Sequence, residues 1–139
     1  MDTDEQIINL LTNMGRLVRK EIFMSKCMED FPHSDMEVMF YLAENKGVTM
    51  KSLSDYLRIK PPSATPIINR LFNKNLLKRT PDKKDRRITC VSLTKKGVLL
   101  VEKKRSMAKH GIKKFFGKMS HANKKSLIKI LKDVLKKYE

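Results

Sequence analysis

Residues 59–97 read IKPPSATPIINRLFNKNLLKRTPDKKDRRITCVSLTKKG, and this stretch decides the fold. Its first part predicts a helix from Pro61 or Pro62 to about Lys74. Proline is acceptable at that start because first-turn N–H groups have no intrahelical partner. Asn75 follows, where a residue tolerant of left-handed backbone is wanted. Leu76–Thr80 and Ile88–Leu93 predict two short strands. Between them, Pro81-Asp82-Lys83-Lys84-Asp85-Arg86-Arg87 carries four basic residues and nothing apolar except the proline. A helix, a strand, a basic loop, a strand and the start of another helix is the order of a helix-turn-helix with a β-wing.

The helix has two unlike faces. At 100° per residue, Ala64, Ile67, Ile68 and Leu71 form the inner one. Pro62, Pro66, Asn69 and Asn73 point the other way, flanked by Thr65 and Arg70. A merely solvated face usually carries Lys and Glu. Short polar side chains instead let a helix lie close to base edges, with Asn suited to adenine and Arg to guanine. Pro66 sits inside the helix, removes one backbone hydrogen bond and predicts a bend. The basic tip suits phosphate, or the strong negative potential of a narrow groove.

Upstream, Pro32 breaks the chain, and Ser34 with Glu37 predicts a capping box opening the helix SDMEVMFYLAEN. Val38, Met39, Tyr41 and Leu42 supply its apolar side. Thr49 is the expected cap of a third helix burying Met50, Leu53 and Leu57. Residues 4–29 predict one long amphipathic helix, with Ile7, Leu10, Leu11, Met14, Leu17, Val18 and Ile22 at helical spacing. A small core does not cover so long a face, so part of it is expected to meet a second subunit. Downstream, Thr94 is the expected cap of a helix running to about Gly117, and Ser120 of a last one. In that last helix Leu127, Leu131, Val134 and Tyr138 form a stripe, with lysines around it. The expected organisation is an N-terminal dimerisation helix (1–33), a DNA-binding region (34–97) and C-terminal dimerisation helices (98–139).

Charge points the same way. The chain carries a formal +16 over 139 residues. Residues 1–50 hold 5 Lys/Arg against 9 Asp/Glu, and residues 51–139 hold 26 against 6, so the halves carry −4 and +20. So basic a half repels itself unless an anion is near, and nucleic acid is the usual partner. No apolar run approaches the roughly 20 residues of a membrane span. The start, MDTDEQ, lacks the features of a secretory signal, so a cytoplasmic location is expected. Cys27 and Cys90 make no disulfide framework. Cys27 reads as a small packed side chain, and Cys90, set opposite Val91 and Leu93 on its strand, as partly exposed but inert.

These residues resemble the MarR family of transcriptional regulators. The helix IKPPSATPIINRLFNKNLLKR matches, and the wing follows the family's D-x-x-D-R-R…L-T-x-x-G pattern at Asp82, Asp85, Arg86, Arg87, Leu93, Thr94 and Gly97. Asn75 stands where the family usually has glycine. The resemblance implies a mainly α (α+β) fold: a winged helix-turn-helix with a two-stranded β-wing and long terminal dimerisation helices. It implies a homodimer on pseudo-palindromic double-stranded DNA, with a small aromatic ligand as a further partner. Carried over, Pro62, Ser63, Thr65, Pro66, Asn69 and Arg70 are the major-groove or backbone contacts, and Lys83, Lys84, Arg86 and Arg87 the wing contacts. Ile7, Leu11, Leu127, Leu131, Val134 and Tyr138 are the dimerisation residues. The Thr65-Pro66 pair resembles the organic-peroxide-sensing branch, but Cys27 lies too far along the chain to match its reactive cysteine.

No glycine-rich nucleotide loop, HExxH motif, metal-type Cys/His cluster or nucleophile elbow is present in the sequence. The expectation is a regulator, not an enzyme, with neither cofactor nor metal. Two other readings remain open: a general nucleic-acid-coating protein that does not read sequence, and a membrane-surface or partner-binding module acting through the last helix.

Overall fold

A computed structural model of the chain describes residues 1–23 and 31–138. Cys27 therefore lies outside the described residues. Among the described residues, six α-helices and three strands follow in order: α1 (Thr3–Val18), α2 (His33–Glu44), β1 (Val48–Thr49), α3 (Met50–Leu57), α4 (Pro61–Asn73), β2 (Leu77–Pro81), β3 (Thr89–Leu93), α5 (Lys95–Phe116) and α6 (His121–Leu135). They divide into two compact units, one of Met24–Ser106 and one of Met1–Phe23 with Met107–Glu139. Helix α5 contributes to both.

The unit of Met24–Ser106 has the core. Met39, Leu53, Ile68, Leu71, Leu76 and Val91 are almost fully buried there, as are Ala64 and Val101. All four residues expected on the inner face of α4 are buried, and Val38, Met39 and Leu42 on α2 as well. On α3 Leu53 and Ser54 are buried; Met50 and Leu57 are half-buried. Tyr41 is half-buried and stacks on Tyr56 with ring centroids 4.0 Å apart.

Helix ends follow local chemistry. Thr49 and Ser52 form a reciprocal capping box on α3. Thr94 Oγ1 accepts from Gly97 N at 3.0 Å, and Ser120 Oγ from Asn123 N at 3.2 Å, as expected. Helix α4 ends in a Schellman turn: Asn75 N donates to the Phe72 carbonyl, Leu76 N donates to that of Leu71, and Asn75 takes φ 58°.

Four sequence expectations are corrected. Helix α2 starts at His33, not after Ser34; the Pro32 carbonyl accepts from both Asp35 N and Met36 N, so the helix begins two residues earlier than a Ser34 cap allows. The first helix is not one uniform α-helix, since Arg19–Phe23 is π-helical. The wing is not only two-stranded. β1 joins it in the order β1-β3-β2, with Thr49 opposite Cys90 and Thr80 opposite Cys90 on the other side. For the same reason Cys90 is buried rather than partly exposed: it lies on the central strand, shielded by neighbours on both edges.

In the other unit, α1 is closed by an Asp2–Glu5 capping box. Neither α1 nor α6 buries a single side chain. Lys114 and Glu21 form an ion pair there at 3.7 Å.

Gly97 is the tightest point in the wing's support. A Cβ there would run into the Leu76 carbonyl oxygen, backbone that cannot swing aside. The same oxygen already accepts from Thr94 N at 3.0 Å. Gly97→Ala is expected to lower stability by about 1–3 kcal/mol, the usual range for overpacking. Thermal unfolding of the two proteins checks this.

Candidate nucleic-acid interface

The outer face of α4 is open. Pro62, Ser63, Thr65, Pro66, Asn69, Arg70 and Asn73 are all exposed, while the inner face is buried. The helix runs through Pro66 without interruption. Thr65 Oγ1 donates to the Pro61 carbonyl at 3.1 Å, so its proton is used and its methyl and lone pairs face out. Among the described residues, the Ser63 hydroxyl and the Asn69 amide have no hydrogen-bond partner. Their donors and acceptors are available to a base edge or a phosphate.

Arg70 differs from its neighbours. Its Nη2 lies 2.6 Å from Asp35 Oδ1, and its Nε 3.2 Å from Asp35 Oδ2. The Asp35 side chain is completely buried, and the Arg70 side chain is 44% exposed. The hydrogen bonds to Asp35, the largest influence, raise the Arg70 pKa above its ordinary value; burial opposes them and the carboxylate's charge adds to them. A buried carboxylate left alone is costly, and the planar guanidinium satisfies it with two parallel bonds. The pair ties α2 to α4 and sets the rotation of α4 about its axis. Arg70 thus holds its own helix in place, and only the remaining edge of its guanidinium faces outward.

The wing tip is a braced turn. Asp82 N donates to the Ile88 carbonyl at 2.9 Å, and Ile88 N to the Asp85 carbonyl at 3.0 Å. Asp85 Oδ1 accepts from Arg87 N at 3.0 Å and from Arg87 Nε at 3.2 Å. Arg87 is 92% exposed, so this pair is weak and easily exchanged for a phosphate. Lys83, Lys84 and Arg86 are exposed, and among the described residues none of them has an ion-pair partner. The two aspartates shape the loop; the four cations are its outer surface.

The sequence reading missed two contributors. One is Asp35, whose signal is an acid within the buried series Asp35, Met36, Val38 and Met39. An acid on an inward face needs a cation, and Arg70 is the one. The other is β2, where Lys78 and Arg79 are exposed and Arg79 sits 4.6 Å over the Phe72 ring. They extend the basic surface from the loop onto the strand.

The order α2-β1-α3-α4-β2-β3, with an open polar helix beside a basic hairpin, defines a winged helix-turn-helix. Residues 31–89 match the MarR family. The HTH-type transcriptional repressor MdtR of Bacillus subtilis (strain 168) is 27% identical over 85 residues, covering 61% of this chain and 55% of that protein. The chain thus spans about half the length of the curated relative it matches. Among solved structures, Streptococcus pneumoniae FabT in complex with DNA superposes with a TM-score of 0.75 at 24% identity, over 95% of this chain and 94% of that one. MepR, a transcription regulator of the Staphylococcus aureus multidrug efflux pump MepA, does so with a TM-score of 0.73 at 18% identity, over 94% and 96%. These likenesses show the fold.

The Asp35–Arg70 pair gives a sharp expectation. Asp35→Ala and Arg70→Ala each lower Tm, while the double variant loses clearly less than the sum, because residues in direct contact are not additive. Arg70→Lys does not restore the loss, since an ammonium cannot make two parallel bonds. A double-mutant cycle followed by thermal unfolding reads all three outcomes.

Proposed function

We propose that the chain is a dimeric, sequence-specific, DNA-binding transcriptional repressor of the MarR type, located in the cytoplasm. One observation carries the reading: an exposed helix face of small polar groups stands in the same compact unit as an exposed four-cation hairpin tip. Helix α4 enters the major groove, with Ser63, Thr65, Pro66 and Asn69 against bases and backbone. Arg70 positions that helix and offers its free edge. Lys83, Lys84, Arg86 and Arg87 reach phosphate or the minor groove, with Pro62 at the backbone. A MarR-type relative called a repressor and a DNA-bound structural neighbour support this reading.

Dimerisation has its own support. Ile7, Leu11, Leu131, Val134 and Tyr138 are exposed, and Leu127 is half-buried. Ile8, Leu10, Ile128, Ile130 and Leu135 are exposed beside them. Helices this apolar with no fully buried side chain are completed by a second copy. Two copies present two reading helices to a two-fold operator, with half-sites about 34 Å apart.

Release by a small ligand is supported by a cavity of about 540 Å³ walled by Phe31, Leu76, Leu99 and Leu100 and rimmed by Lys96 and Lys103. Its size is that of ordinary ligand pockets, and its wall suits an aromatic body. No helix among the described residues is long and apolar enough to cross a membrane.

Binding to the DNA upstream of its own gene, compared with random duplex, tests the reading; a ratio near one leaves a general coating protein instead. Asn69→Ala is expected to cost about 1–3 kcal/mol at one operator position and to relax specificity there. Lys83→Gln is expected to lower the salt slope by about one unit without changing specificity. Leu11→Asp with Leu131→Asp is expected to give a monomer in sedimentation, and a dimer that persists would remove both residues from the interface.

A further inference from the structure

Residues 107–139 hold 10 lysines against Asp133 and Glu139, a net +8 in a segment that the reading above uses for dimerisation. Their arrangement on α6 is not random. At 100° per residue, Lys125, Lys129, Lys132 and Lys136 fall within an arc of about 60°. Leu127, Ile130, Leu131 and Val134 lie on the opposite side of the same helix, with Ile128 and Leu135 between that side and the stripe. All four lysines are exposed, and among the described residues none takes part in an ion pair. The spacing is i, i+4, i+7, i+11, so each lysine faces a like charge one turn away. Such pairs weaken a helix. Asp133 stands beside the stripe, at i+4 from Lys129 and i−3 from Lys136, and among the described residues it forms no ion pair with either.

We propose that this lysine stripe is a second nucleic-acid surface, which takes the phosphate backbone of duplex DNA without reading bases. The stripe is about 16 Å long at 1.5 Å per residue. A duplex carries one negative charge per roughly 1.7 Å of axis, so it matches every lysine along that length. A lipid surface fits less well. Amphipathic helices lie on membranes by inserting their apolar side, and in the dimeric reading, on which this proposal rests, that side faces the second copy. What remains outward is a straight row of cations, suited to a stiff polyanion. The stripe adds affinity for any DNA, raising the local concentration of duplex around a protein whose α4 face does the selecting.

The test uses the full chain and random-sequence duplex, with affinity followed over a salt titration. K125Q/K129Q/K132Q/K136Q is expected to lower the slope of log affinity against log salt by about 3 to 4 units per chain. The helix content and the dimer are expected to stay unchanged, because removing like-charge pairs does not weaken the helix. The variant with arginine at the same four positions is expected to keep the wild-type slope. K129Q/K132Q alone is expected to show about half the loss, which keeps the reading open to test if the quadruple variant folds poorly. An unchanged slope in a folded quadruple variant overturns the proposal. An unchanged slope together with lost flotation on anionic vesicles overturns it too and gives the stripe to a lipid surface. An equal loss in the arginine variant also overturns it, since charge is then not the cause. Failure of operator reading shows separately, as a specific-to-random ratio near one in the wild-type protein.

Discussion

The carboxylate of Asp35 is buried without solvent contact and held by two bonds from Arg70. A helix packed by aliphatic side chains alone, such as Ala64, Ile67, Ile68 and Leu71, relies on contacts that carry no direction of their own. A buried ion pair has one. Its energy depends on angle and distance, and a departure strands a charge. The pair therefore converts an apolar contact between α2 and α4 into a fixed orientation. Which residues of α4 face outward follows from it, and so does the set of polar groups the helix exposes.

The wing depends on a comparable constraint at its base. Asn75 in the left-handed region ends α4, the Leu76 carbonyl accepts from Thr94 N, and Gly97 leaves room for that carbonyl. Thr94 Oγ1 also donates to the Asn75 carbonyl at 2.6 Å. The end of α4 and the start of α5 are thereby stitched to the hairpin. The loop beyond needs little of its own: Asp82 and Asp85 close the turn, and the cations are left to solvent.

Where the chemistry was local, the sequence was enough. The period of Ala64, Ile67, Ile68 and Leu71 identified the buried face of α4, Thr49 and Thr94 marked helix starts, and Asn75 marked an end. The motif from Asp82 to Gly97 placed the hairpin between two helices. What escaped was set by distant partners. Strand β1 is only two residues long, too short for any alternation to register, and exists because β3 offers it an edge. The burial of Cys90 depends on that same strand. Asp35 reads as an ordinary helix-start acid until Arg70, 35 residues away, is seen beside it. The π-helical turn at Arg19–Phe23 carries no glycine or proline to announce it. The Ser34 cap failed because the Pro32 carbonyl opens the helix two residues earlier.

A reading helix and a wing held in one fixed relation should touch DNA in a fixed pattern. Hydroxyl-radical and methylation footprinting on a duplex selected by the protein measures that pattern most directly. The account predicts two blocks of major-groove protection centred about 10–10.5 base pairs apart, each with backbone protection at the adjacent minor groove. Even protection along the whole duplex, with no two-fold pattern and no gap between blocks, would contradict it.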